Sequence, residues 1–291
     1  NQIVQYYVYL FTLDAGKRDA STQSYIDAYY SSFEDIKAQG IDALIITGTN
    51  PGANQLEQEP FWDPLAEVVD WATENVTSVL CSCLAVHAIV KHLHAIDRKP
   101  LQRKRWGVYS HRITEVNHPF LRNINTRFDV PHSRNNDVSS DQLQAAGFKI
   151  LVHGAESGVH MAVSPDMFRV VFLQGHPEYD NVSLFKEYKR EINRYFTGDR
   201  ETFPDHPENY FNSEVMGIID DFKSDLESAK ANGITMPALP EDQIVPLLDN
   251  TWKDTGKSIF NNWLGLVYQL TNVDRYLPFK EGIDPENPLN L

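Results

Sequence analysis

The only two cysteines among 291 residues, Cys81 and Cys83, both lie in VLCSCLAVHA, Val79 to Ala88. A thiol can pack, ligate a metal, join a redox pair or, as thiolate, attack a carbonyl carbon. Val76 to Ser82 is a short apolar run that reads as a buried strand, and Cys83 opens a helical stretch that runs to Ile96. A side chain at such a strand-to-helix corner stands at the top of the sheet, as in a nucleophile elbow. It meets the positive end of the helix, which favours thiolate over thiol. The N–H of Leu84 is then free to bind an oxyanion. Cys81, two residues back on the strand, reads as a small buried hydrophobe. Taken alone, Cys83 reads as packing too. His87 is one helical turn further on, but no second pair at ligand spacing accompanies it. Spacing by one residue fits a redox pair poorly.

A thiolate needs a base, and the base an orienter. QGHPEYD, Gln174 to Asp180, offers His176 at the end of another predicted strand and Glu178 two residues on. Each alone reads equally as a core histidine or a surface carboxylate. The functional reading rests on nucleophile, base and orienter types all falling at predicted strand ends.

The elements that must position these residues can be read from pattern. Val4 to Leu13 is rich in β-branched and aromatic residues and predicts a strand. Ser24 to Gln39 predicts one helix ending at Gly40. Ile41 to Gly48 is a continuous apolar run closed by glycine, the pattern of a buried parallel strand. Pro64 to Asn75 predicts a helix, FKILVHG and AVSPDMFRVVFLQG further strands, and Val182 to Phe196 a long helix. This alternation predicts an α/β fold, a mostly parallel sheet with helices on both faces. Ligands bind such sheets at the carboxyl ends of the strands. The loops there read TGTNPG, CSCLA and QGHPEYD. After Phe211 a charged helix, Ile218 to Asn232, and a proline-rich connector predict a peripheral insertion over 212–250. A last amphipathic helix, Trp252 to Leu270, and an extended tail complete 251–291, expected to pack on the main α/β domain of residues 1–211.

The net charge of −14 repels nucleic acid and anionic membranes. With 42% hydrophobic and 23% charged residues the composition is globular, and no apolar stretch is long enough to span a bilayer. Two cysteines argue against a disulfide-built secreted fold and point to a reducing, cytoplasmic setting. One basic stretch, Arg98 to Trp106, carries five basic residues in nine and predicts a solvated loop.

TGTNPG, FW, VTSVLCSCLAVHA, GVYSHRI, PHSR and GHPEYD, in this order and spacing, resemble the homoserine O-acyltransferases of the succinyltransferase type. The match runs from about Tyr25 to Phe211 and resumes at Trp252 to Leu270. The resemblance implies a flavodoxin-like fold close to the class I glutamine amidotransferases, a homodimer, and methionine biosynthesis. It implies ping-pong transfer from acyl-CoA through an acyl-Cys83, with His176 as base and Glu178 orienting it. No bound cofactor or metal is implied. It matches Lys104 and Ser133 to substrate- or acyl-contacting positions. Glu187 and Arg190 match the positions that hold the amino acid's ammonium and carboxylate, and the basic loop is expected near CoA phosphates. Gly52 matches a position that is Gly in succinyl-transferring members and Glu in acetyl-transferring ones, where a Glu would crowd and repel the succinyl carboxylate. The family's first strand and helix lie upstream of Asn1, so the chain is expected to be processed or a fragment, or a partner is expected to supply that element. Tyr25 stands where the family has His, and with the 212–250 insertion this opens the acceptor to serine or another hydroxy amino acid. Acetyl transfer, glutamine-amidotransferase-like hydrolysis and a non-catalytic binding module are the other readings.

Overall fold

The computed structural model describes residues 5–13, 15–16 and 18–291. The chain opens with α1 (Ala20–Tyr29) and α2 (Phe33–Gln39). The expected single helix over Ser24 to Gln39 is therefore two. The reason is Ser32: its hydroxyl accepts from the Asp35 amide at 3.0 Å while the Asp35 carboxylate faces the Ser32 amide, a capping box that starts a new helix. The Asp19 carboxylate caps α1 by accepting from the Ser21 and Thr22 amides. The expected strand over Val4 to Leu13 does not form in residues 5–13, and Val4 lies outside the described residues. Tyr7 and Val8 are 87% and 69% exposed, and among the described residues the one bridge of this run is Phe11 to Ser31. β-propensity describes how a side chain fits a pleated surface, and no strand pairs with this run to supply one.

After β1 (Ala43–Ile46) come α3 (Trp62–Asn75), β2 (Ser78–Ser82) and α4 (Leu84–His94). A long hairpin follows, β3 (Lys99–Ile113) with β4 (Arg127–Asp137), then α5 (Ser140–Ala145), β5 (Lys149–Gly154), β6 (Gly158–Val163) and β7 (Val170–Leu173). Among the described residues seven strands form one sheet, in the order β1-β2-β7-β6-β5-β3-β4. The α/β class holds, but the pairing is mixed rather than mostly parallel. Only β1–β2 and β2–β7 are parallel; the other four pairings are antiparallel. Short connections decide this: β5 and β6 are joined by three residues, too few for the crossover that parallel pairing needs. The basic stretch Arg98 to Trp106 is not a loop, as expected, but lies mostly within β3, with a bulge between Pro100 and Arg105. Charged side chains at exposed positions of a hairpin leave the ladder intact.

Side chains alternate between two cores. Val79, Cys81 and Phe172 face the one built with α3 and α4; Leu80, Val171 and Leu173 face the other. The second core is closed by α9 (Lys253–Leu270), after α6 (Ser183–Thr197), α7 (Ser213–Ala231) and α8 (Glu241–Ile244). Trp263 on α9 is 1% exposed and donates its indole N–H to Ser78 Oγ at 2.8 Å, which ties α9 to β2. A third core joins Trp106 of β3, Leu184, Tyr188 and Ile192 of α6, and Val215, Ile219 and Leu226 of α7. The 212–250 segment thus buries its apolar face on α6, the helix that also borders the cavity described next.

Candidate active site

Cys83 joins β2 to α4 with φ +56° and ψ −119°. This left-handed region is unfavourable for a residue with a Cβ, by about 1–3 kcal/mol. The turn is held by the Cys83 amide donating to Leu173 O at 2.9 Å and the Val86 amide donating to Cys83 O at 3.1 Å. The result is a partly exposed Cys83 beside a fully buried Cys81, whose thiol burial pushes its pKa up. Leu84 supplies the first amide of α4, which no intrahelical carbonyl can accept. Gly48, at the end of β1, lies against this corner: a Cβ there would sit 2.9 Å from Leu84 N and 3.1 Å from Cys83 Cβ. Only glycine lets the two loops approach so closely.

The parallel pairing of β2 with β7 sets Ser82 opposite Leu173, so the strand carrying Cys83 and the strand leading to His176 end side by side. Gly175 is pressed onto β4, where a Cβ would meet Val130 and His132 within 3 Å. The His176 amide donates to Pro131 O at 2.8 Å. These contacts aim the imidazole. Its Nδ1 is 2.8 Å from Glu178 Oε1, and the ring stacks on Tyr179 at 4.3 Å between centroids. Burial pulls the His176 pKa down, but hydrogen bonding and charge from Cys83 and then Glu178 outweigh it and raise it to about 10. The His176 ring and Cys83 border one cavity. His87, by contrast, is buried with its Nε2 on Gln174 Oε1 at 3.1 Å rather than on Cys83.

The same cavity, about 1170 Å³, continues to α6. There the half-buried Glu187 is met by Lys104 Nζ at 3.0 Å, Ser133 Oγ at 2.6 Å and the Tyr179 hydroxyl at 2.9 Å. Burial alone would raise the Glu187 pKa; the Lys104 charge and these donors reverse that and hold it below the usual carboxylate range. Lys104 also lies over the Trp106 ring at 4.3 Å. Arg190 borders the cavity one turn on, but its Nε is 3.6 Å from Glu191, not paired with Glu187.

Cys83, His176, Glu178, Lys104, Ser133, Glu187 and Arg190 thus surround one cavity, with Leu84 at the corner beside Cys83. Gly52 is different. It is exposed and absent from the cavity wall, and a Cβ there meets nothing within 4 Å. Crowding of an acyl group at that position is not visible in this geometry. Sequence reasoning missed Gly48, Tyr179 and the Glu191–Arg194–Arg200 group. The first two lie in TGTNPG and GHPEYD, loops already marked as strand ends; the third needed helical phase and a loop contact.

Behind His176 is a buried polar chain. His111 Nδ1 donates to Tyr109 O at 2.8 Å, and its Nε2 lies 2.7 Å from Ser157 Oγ and 3.1 Å from His132 Nε2; Arg134 donates to His132 Nδ1. Arg134 also pairs with Asp137 at 3.1 Å. Burial holds the pKa of His111 at about 4 and that of His132 well below 6.5.

A model of the homoserine O-succinyltransferase family matches residues 1–273. Proteins named homoserine O-succinyltransferase are similar along the whole chain. That of Thiothrix nivea is 54% identical over 100% of this chain and 81% of its own length, and that of Methylobacter tundripaludum 53% over 100% and 82%. Among solved structures, a glutamine amidotransferase from Thermotoga maritima matches 84% of this chain and 90% of its own at 15% identity and TM-score 0.44, too distant to bear on function.

Proposed function

The chain belongs to the homoserine O-succinyltransferase family and is an acyltransferase enzyme; from that premise we propose that it moves a succinyl group from succinyl-CoA to the hydroxyl of L-homoserine, in methionine biosynthesis, through an acyl-Cys83. What supports the mechanism is the constellation at the β2 and β7 ends: a strained, accessible Cys83, an imidazole raised to about 10 by it, and Glu178 on the far ring nitrogen.

The Cys83 thiolate attacks the thioester carbonyl, and the Leu84 amide stabilises the resulting oxyanion. The carbon–sulfur bond to CoA breaks, and His176 gives its proton to the departing thiolate. Acylation removes the sulfur's negative charge, so the largest influence holding His176 protonated is lost and the imidazole becomes a competent base. The homoserine hydroxyl then gives its proton to His176 while its oxygen attacks the acyl carbon. Cys83 leaves as thiolate and the ion pair is restored. Glu187 receives the acceptor's ammonium, displacing Lys104 or sharing with it, and Arg190 receives its carboxylate, one charge for each end of a zwitterion. Lys104 and Ser133 fix Glu187. The donor and acceptor need no bound cofactor. The proposal includes a cytoplasmic setting, which two cysteines without a disulfide fit, and a homodimer, which rests on the family resemblance. Among the described residues no helix is long and apolar enough to cross a membrane.

The test is intact-protein mass after mixing with succinyl-CoA and no acceptor. One added succinyl group is expected, absent in Cys83→Ala and retained in Cys81→Ala. An adduct with acetyl-CoA but none with succinyl-CoA would overturn the acyl assignment. No adduct with either would overturn the covalent mechanism.

A further inference from the structure

Past Glu187 the cavity continues along α6. Glu187, Arg190, Glu191 and Arg194 recur at i, i+3, i+4 and i+7, one face of the helix, and all four border the cavity. At 1.5 Å per residue Arg194 lies about 10 Å along the axis from Glu187. Here one buried carboxylate, Glu191, is shared by three guanidinium groups: Arg190 at 3.6 Å, Arg194 at 3.3 Å and Arg200 at 3.4 Å. Guanidinium does not deprotonate in proteins. Asp205 borders the same end of the cavity, so two carboxylates face three guanidinium groups there.

Arg200 is set in place from the other side. Gly198, at φ +89°, ends α6, and the Arg200 amide folds back to Arg194 O at 3.1 Å. Its Nε donates to Thr202 O at 2.8 Å, so the head group is oriented before any ligand arrives. Two basic side chains of the β3 stretch border the same cavity. Arg103 is paired with Glu208 and Lys104 with Glu187. In a chain of net charge −14, three guanidinium groups thus cluster at the α6 end of the cavity.

We propose that Arg194 and Arg200, set on Glu191, hold the phosphate groups of the acyl-CoA donor, with its pantetheine arm lying along α6 and its thioester at Cys83. The inference rests on the acyl-CoA reading of the same cavity. Arg forks suit phosphate oxygens, and a contact of this kind acts on the donor without touching the reacting atoms.

The experiment compares kcat/KM for succinyl-CoA with that for S-succinyl-pantetheine, which lacks phosphate, in the full chain and in Arg194→Gln, Arg200→Gln and Arg194→Lys. The ratio of the two is expected to fall by about tenfold to a hundredfold in each Gln variant, the effect of one lost charged hydrogen bond. Arg194→Lys, which keeps the charge, is expected to retain most of it, and the salt dependence with succinyl-CoA is expected to weaken in the Gln variants. Cys83 succinylation by S-succinyl-pantetheine, read by mass, reports that each variant is folded. Equal loss with both donors would overturn the proposal, as would a rise confined to the KM for homoserine, which would give the cluster to the acceptor. A wild-type enzyme that takes succinyl from neither donor would instead overturn the acyltransferase mechanism beneath it.

Discussion

Two residues carry opposite duties through one ring. His176 is pulled down by burial and lifted by Cys83 and Glu178, and the lift wins, to about 10. A histidine raised above its unfolded value of about 6.5 favours the protonated form, so the imidazolium persists at neutral pH and is lost only as pH rises through the raised value. Glu178→Gln removes one of the two upward influences. The alkaline limb of kcat/KM for succinyl-CoA is expected to move to lower pH, toward neutrality, with the acyl-enzyme still detectable by mass. An unmoved limb would mean that Glu178, whose side chain is 54% exposed, is screened by solvent and orients the ring without tuning it.

At the scale of elements, the site is a meeting of three strand ends and one helix start. The tightest approach is between the end of β1 and the start of α4, where Gly48 leaves no room for a side chain beside the Leu84 amide. Gly48→Val is expected to displace that amide and lower kcat by about a hundredfold or more, the effect of losing one oxyanion donor. Assays of kcat alongside thermal unfolding would check it. Full activity with a Val at 48 would remove Leu84 from the mechanism. Behind the strands, the chain from Arg134 through His132 and His111 to the Tyr109 carbonyl fixes β4 against β3, and β4 in turn meets Gly175 and His176. Helix α6 is likewise held from outside by α7, through Val215, Ile219 and Leu226.

Across the whole molecule, burial of neutral histidines sets an acid boundary. His87 and His111 are both held at about 4, and His132 and His160 well below 6.5, chiefly by burial. Each binds a proton in the unfolded chain before it does so in the folded one. Their contribution to stability is therefore complete above about pH 6.5 and is lost as pH falls toward 4, by up to about 1.4 kcal/mol per pH unit for each group. Urea unfolding between pH 7 and 4.5 is expected to show a steady fall in stability, shallower in His87→Gln. A flat profile over that window would mean that these histidines charge in place without unfolding the chain.

Much of this was legible in the residues themselves. The β2–α4 corner, the apolar run of β1 and the helices α3, α4, α6 and α9 announce themselves because one or two faces of each are buried, and burial imposes periodicity on sequence. A thiol, an imidazole and a carboxylate at predicted strand ends could be picked out because chemistry restricts residue type as sharply as packing does. What the sequence left open was long-range: which strands pair and in which direction, that Arg98 to Trp106 enters the sheet, and that residues 5–13 do not. Strand pairing joins residues far apart in the chain, and no local pattern encodes a partner. Cys83 and His176 share a cavity because β2 and β7 are neighbours, and Arg194 and Arg200 converge on Glu191 because Gly198 turns the chain back at the end of α6. Residue chemistry was written locally; proximity was decided only by the fold.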